Sequence, residues 1–369
     1  MTTETETPGG VDQATLDALR EGIRGVLAEQ CDSTALHAFI DGKTTLDRDI
    51  WAQAGGLGWL GFGIPEAHGG LGLGNHGLAL LQAEIGHHAA PGPFLATLSA
   101  AQAIAETADT ATQAAWLPRI AAGSISIAVP ARLDGAALTR NGAGVSGTLR
   151  CLGNQDAGLL LVPAGDAWVL LEPPSGAIAP FATWDRTRQL IDVTLSGATP
   201  VAVLPDAAAT RASLFRALAL GIAADTAGAA RSITDRTIAY MKTREQFGQP
   251  IAGFQALKHR AADLATRLAV MDEMVGHAAL RIGAGEPDAE AWVALAKAEV
   301  TESAVFVTTD CVQLHGGVGF TWDFDPHIFL KRVRLNEVLL MANPALRDLA
   351  ADRLAEVTLA GVSVLELGL

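Results

Sequence analysis

Two short stretches carry residue types suited to gripping a bulky anion. The first is Arg244-Glu245-Gln246-Phe247-Gly248-Gln249-Pro250-Ile251, followed by Phe254-Gln255; the second is Gln313-Leu314-His315-Gly316-Gly317-Val318-Gly319-Phe320-Thr321. Arginine can fork onto a phosphate, and paired glycines let an anion approach the main chain. Taken alone, each is more simply an ordinary helix stop or an ordinary glycine loop, and neither matches GxGxxG or a P-loop. Cys31, Cys151 and Cys311 show no CxxC spacing and read as small buried hydrophobes. His87 and His88 are adjacent, so on a helix they point apart, and no metal site is expected.

These stretches must be held by long elements. Helical periodicity runs through residues 11–122, where Asp12 is placed to cap a helix carrying Leu16, Leu19, Ile23 and Leu27. It is interrupted by a glycine-rich stretch over 55–74 and by Pro91-Gly92-Pro93. Residues 123–206 change texture, to short β-branched runs such as SISIAVPARL, VSGTLRCLG, GLLLVPAG, AWVLLEPP and IDVTLSG. From 207 to 369 the pattern is helical again. A helix over about 208–243 should stop at Gly248, acting as a left-handed cap, and Pro250. A second starts near Phe254 with Leu257, Ala261, Leu264, Leu268 and Met271 in one stripe; a third ends at Gln313-Leu314. A fourth follows HGGVGFTWDFDPH, with Asp323 and Asp325 placed to cap it. The fold class expected is α+β, mostly α: an N-terminal helical domain, a central β domain and a C-terminal four-helix bundle.

Composition narrows the function. Of 369 residues, 26 are Lys or Arg and 40 are Asp or Glu, a formal charge of −14, which argues against a nucleic-acid backbone as partner. With 49% hydrophobic and 18% charged residues the chain can bury a large core. Mean hydropathy is +0.27, but uninterrupted apolar runs stay below the length of a bilayer span; Ala217 to Ala224, for example, is closed by Arg216 and Asp225. The acidic N-terminus lacks secretory-signal features, and a cytosolic protein is expected.

REQFGQPIAGFQALKHRAADL and QLHGGVGFTWDFDPHIFLKR together resemble the C-terminal segments of the acyl-CoA dehydrogenase family; PEAHGGLGLG and LPRIAAGS resemble its N-terminal half. The resemblance implies FAD held between the β domain and the bundle and across a subunit interface. It places Arg244, Gln246 and Phe247 against the FAD of a neighbouring subunit, with Gln313, Gly316, Gly317 and, less directly, Gln255 at its adenosine and pyrophosphate end. The implied reaction is α,β-dehydrogenation of an acyl-CoA thioester, with electrons leaving through an electron-transfer flavoprotein.

The family's base is usually a Glu at one of two positions, and counting from the motifs puts these at Leu218 and Leu340. Neither is acidic. Asp225, about two helical turns past Leu218, is the nearest alternative base, with a salt bridge to Arg231 or Lys258 as the competing reading. Glu337, among Lys331, Arg332 and Arg334, reads as a solvated ion pair. SISIAVPARL and Met341-Ala342-Asn343-Pro344 also depart from the usual flavin-contacting segments. These departures resemble the base-lacking chain of heterotetrameric dehydrogenases acting on steroid or ring-derived CoA thioesters. The other readings are a self-sufficient homo-oligomer using Asp225, a non-catalytic scaffold, or a flavin oxidase or monooxygenase on the same fold.

Overall fold

The computed structural model describes residues 13–361 apart from 136; the expected Asp12 cap lies outside them. Six helices come first: α1 (Gln13–Gln30), α2 (Ser33–Ile40), α3 (Leu46–Gly56), α4 (Gly74–His87), α5 (Phe94–Thr107) and α6 (Thr110–Ala121). The glycine-rich stretch between α3 and α4 holds only two short 3-10 turns, Trp59–Gly61 and Glu66–His68. Pro91 to Pro93 separates α4 from α5.

Eight strands follow: β1 (Ile127–Pro130), β2 (Thr139–Asn141), β3 (Gly144–Leu152), β4 (Leu159–Ala164), β5 (Ala167–Leu171), β6 (Ile178–Phe181), β7 (Leu190–Ala198) and β8 (Ala202–Val203). They run in the order β6-β7-β3-β1-β4-β5-β8, with β2 on β3; β1 pairs parallel with β4 and the other pairings are antiparallel. The five β-branched runs are β1, β3, β4, β5 and β7. The sequence did not mark β2, β6 and β8, which are only two to four residues long and mostly exposed.

The C-terminal part opens with α7 (Ala207–Thr243), capped by Asp206, which accepts from the Ala209 amide at 2.9 Å. At about 1.5 Å per residue it spans some 55 Å and packs on α4 and α5 as well as on the helices that follow. By length and composition α7 could cross a bilayer, but 67% of its apolar window is buried against neighbouring helices, as in a core helix. Next come a hairpin, β9 (Glu245–Gln246) and β10 (Gln249–Pro250), then α8 (Gln255–Gly283) and α9 (Ala289–His315). The expected fourth helix is two, α10 (Pro326–Val338) and α11 (Asn343–Leu359), broken where Leu340 adopts φ +68°. The helix breaks there because the Leu340 amide and carbonyl bond to Ala131 and Leu133 instead.

Two local expectations are corrected. Gly248 does not cap α7: with φ +79° beside Phe247 at φ +54°, it forms the two-residue turn of the β9–β10 hairpin. Asp325 stands at the N-cap of α10 but makes no capping bond. Its carboxylate accepts from Ser33 Oγ at 2.7 Å and Arg236 Nη1 at 2.5 Å and lies 3.1 Å from His37 Nε2, tying α10 to α2 and α7. Three ion-pair and hydrogen-bond partners outcompete one exposed amide.

Candidate active site

The two stretches singled out in the sequence are brought to one end of the helical domain. Tyr240, one turn before Arg244, stacks on His315 with ring centroids 4.4 Å apart, so the end of α7 and the end of α9 meet. The Ile251 amide donates to the Arg244 carbonyl at 2.8 Å, and Phe247 meets Phe254 edge-on at 6.1 Å, which folds the hairpin onto the start of α8 and Gln255. Arg244, Gln246, Gln255, Gln313, Gly316 and Gly317 are all exposed, and Phe247 is 92% exposed. Among the described residues the Arg244 and Gln313 side chains have no hydrogen-bond or ion-pair partner, whereas Gln246 Nε2 donates to the Glu245 carbonyl at 2.7 Å. Gly316, at φ +65° and ψ −142°, takes a backbone conformation reserved for glycine, and the space in front of it and of Gly317 is open.

The two leucines that replace acids lie in the core, Leu218 at 2% and Leu340 at 1% exposure. Leu340 is also locked by its backbone. Its amide donates to the Ala131 carbonyl at 2.9 Å and its carbonyl accepts from the Leu133 amide at 2.9 Å. Arg132 extends the bridge through Nη1 to the Val338 carbonyl at 3.2 Å. The two departures noted in sequence, PARL after β1 and the 339–344 connection, are therefore one junction. Lys297, fully buried, secures it from behind: Nζ donates to the carbonyls of Glu337 at 2.8 Å and Met341 at 3.0 Å and to Asn343 Oδ1 at 3.0 Å. Burial pulls its ammonium down to about 8. Sequence reasoning passed over Lys297; its signal was a single cation inside the apolar run AWVALAKA. Glu337 forms the expected surface pair, accepting from Arg334 Nη1 at 3.0 Å.

Asp225 is not placed to be a base. It is fully buried, and Arg332 grips it bidentately, Nε to Oδ1 at 3.0 Å and Nη2 to Oδ2 at 2.6 Å. Arg188 lies 2.6 Å from Oδ1 and Asn336 Nδ2 donates to Oδ1 at 2.8 Å. Burial pushes the carboxyl upward, but the two guanidiniums and the hydrogen bonds from Arg332 and Asn336 overcome it and hold it at about 2. A carboxylate so held has neither the basicity nor the access to take a proton near neutral pH. The salt-bridge reading holds, with different partners: Arg231 pairs with Asp272, and the partners of Asp225 come from α10 and the β domain, which sequence spacing could not reach.

A helical domain, a β domain and a long-helix domain in this order define an acyl-CoA dehydrogenase fold. Residues 13–124 match the acyl-CoA dehydrogenase N-terminal domain and 209–355 the acyl-CoA dehydrogenase C-terminal domain. The chain belongs to the acyl-CoA dehydrogenase family. It is 32% identical over 328 residues to acyl-CoA dehydrogenase FadE34 of Mycobacterium tuberculosis, covering 85% of this chain but only 44% of that protein. It is 30% identical over 326 residues to acyl-CoA dehydrogenase IpdE2 of the same organism, covering 87% of this chain and 92% of that one. Among solved structures, a variant of the Tcur3481-Tcur3483 steroid acyl-CoA dehydrogenase superposes with a TM-score of 0.84 at 27% identity, over 94% of this chain and 99% of that chain.

The family's cofactor is FAD. The free Arg244 guanidinium and the open Gly316-Gly317 backbone fit its anionic diphosphate. Phe247 offers an apolar face, and Gln246, Gln255 and Gln313 offer amide hydrogen bonds.

Proposed function

We propose that this chain is the base-lacking subunit of a heteromeric, FAD-dependent acyl-CoA dehydrogenase that oxidises a steroid-derived or ring-derived acyl-CoA. The observation that carries this reading is the pair Leu218 and Leu340: both stand where the family places its Glu, both are buried, and Leu340 is fixed by the β-domain bridge. Asp225 does not replace them, because it is held by Arg332 and Arg188. The Tcur3481-Tcur3483 enzyme, named for two chains and for steroid, supports both the pairing and the substrate class.

In this reading the α proton goes to a carboxylate of the unlike partner, and bound FAD supplies the hydride-accepting ring for the β hydrogen. This chain contributes the surface at Arg244, Gln246, Phe247, Gln313, Gly316 and Gly317, with Gln255 beside it. An electron-transfer flavoprotein is the electron acceptor. The test is expression alone and together with a Glu-bearing family chain, followed by flavin absorbance and acyl-CoA turnover. The lone chain should hold little flavin and turn over no substrate, and the pair should do both. Robust turnover by the lone chain would sink the reading.

A further inference from the structure

A cavity lies next to the end of the Gln313–Thr321 stretch, where the N-terminal domain, the β domain and α10 meet and His327 packs against Phe320 with ring centroids 5.9 Å apart. It encloses about 270 Å³ between the end of α2 at Ile40, the loop 183–187 and residues 322–331. Two of its polar side chains are almost fully buried yet lack a partner at one atom each. Asp185 is 2% exposed; its Oδ1 accepts from the Thr187 amide at 2.8 Å and from Thr187 Oγ1 at 2.6 Å, while Oδ2 has no partner. His327 is 3% exposed and its Nδ1 has no partner. A buried carboxylate oxygen left without a donor is unfavourable, and a ligand donor at Asp185 Oδ2 would satisfy it.

The remaining lining is cationic and aromatic. Lys331 makes no hydrogen bond or ion pair among the described residues; its Nζ sits 5.5 Å from the Trp322 ring centroid. Arg186 makes one long bond, Nη1 to the Ile40 carbonyl at 3.3 Å. Burial, with Arg186 alongside, pulls the Lys331 ammonium below its usual range. Burial and the Lys331 charge pull His327 down to about 4, so it is neutral near pH 7. Trp322, half exposed, is braced edge-on by His37 and His327 and can present its indole to a flat ring.

We propose that this cavity binds an adenine nucleoside monophosphate, at a site separate from the flavin surface. The ligand must offer one hydrogen-bond donor to Asp185 Oδ2, an anion to Arg186 and Lys331, and a flat body to Trp322. Base stacking on an aromatic, a phosphate on two cations and an exocyclic amine on a carboxylate meet all three demands. Guanine would present two parallel donors and need both carboxylate oxygens, but Oδ1 is already held by Thr187. The volume suits one ring system with a small anion and is too small for a whole dinucleotide.

Titration calorimetry of the purified full chain with AMP, IMP, adenosine and inorganic phosphate tests this independently of dehydrogenation. Saturable AMP binding is expected, with adenosine and phosphate each weaker by about tenfold or more. Asp185→Asn keeps the Oδ1 acceptor but turns the free oxygen into a donor, so preference should reverse from AMP to IMP, whose ring oxygen accepts. Loss of folding cannot produce that reversal. Lys331→Gln should weaken AMP but not adenosine. Absence of saturable AMP binding at millimolar concentration, an unchanged AMP-to-IMP preference in Asp185→Asn, or displacement of AMP by equimolar FAD or acyl-CoA would each overturn the proposal.

Discussion

Asp225 illustrates why residue type and helical position do not define a base. An acid in an apolar helix needs a reason to exist, and here the reason is two buried guanidiniums, Arg332 and Arg188, each of which needs an anion as much as Asp225 needs them. Removing the charge strands both. Asp225→Asn should therefore cost roughly 3–5 kcal/mol in urea unfolding. If it instead left stability intact and abolished acyl-CoA turnover, Asp225 would be a base after all. Lys297 is shifted in the same direction as Asp225 for the opposite reason, because burial disfavours its charged form. Its folded pKa, about 8, lies below the ordinary 10.5, so the unfolded chain binds more protons between those values and stability rises with pH across that window. The Lys297→Met protein lacks this dependence. Wild type should gain on it steadily from pH 8 to 10.5 in urea midpoints; parallel curves would show that Lys297 stays charged throughout.

At the level of elements, what the sequence made legible was what rests on local pattern. Five strands, the two interruptions in the N-terminal domain and three of the long helices follow from periodicity, glycine and proline. Hidden from it were features whose cause lies far along the chain: Leu340 breaks a helix because Ala131 and Leu133 bind its backbone, and Asp325 forgoes its cap for Ser33 and Arg236. The exposed candidate residues were legible because a motif carries them; the roles of Lys297, Arg332 and Asn336 were not, because those roles depend on burial. The crossing of α4 and α7 is equally non-local. A Cβ on Gly86 would lie 1.9 Å from the Asp225 carbonyl oxygen, and one on Gly228 would lie 2.0 Å from that of Ala83. Gly228→Ala must push the helices apart, and thermal unfolding should report a loss on the order of 3 kcal/mol. The hairpin makes a trade in the other direction. Phe247 occupies the left-handed region at a cost of about 1 kcal/mol, so Phe247→Asn should stabilise the isolated chain by about that amount. If Phe247 contacts flavin as proposed, the same change should reduce flavin retention; equal retention would show that the strain serves no ligand.

The Asp225 cluster also acts on the whole molecule, because its members come from all three parts. Arg332 of α10 donates to the Ala90 carbonyl at 3.4 Å in the N-terminal part and to Thr187 Oγ1 at 2.8 Å in the β domain, while gripping Asp225 of α7. Arg188 brings the β domain to the same carboxylate, and Asn336 closes the ring through Thr226 Oγ1 at 2.8 Å. One carboxylate thus joins surfaces that would otherwise meet mainly through apolar packing, which is indifferent to pH. Its pKa is depressed in the folded chain, to about 2 against an ordinary value near 3.9. The stability it contributes is therefore complete above about pH 4 and is lost as pH falls through the folded value. In wild type, urea midpoints should drop steeply between about pH 4 and 2, with helix content and tryptophan fluorescence falling together while the three parts remain coupled. Asp225→Asn starts lower at pH 7 and has no proton to take up there, so its slope over the same range should be shallower and its two signals should separate. Parallel acid slopes in the two proteins would place the acid sensitivity in other carboxylates and leave the cluster a local contact only.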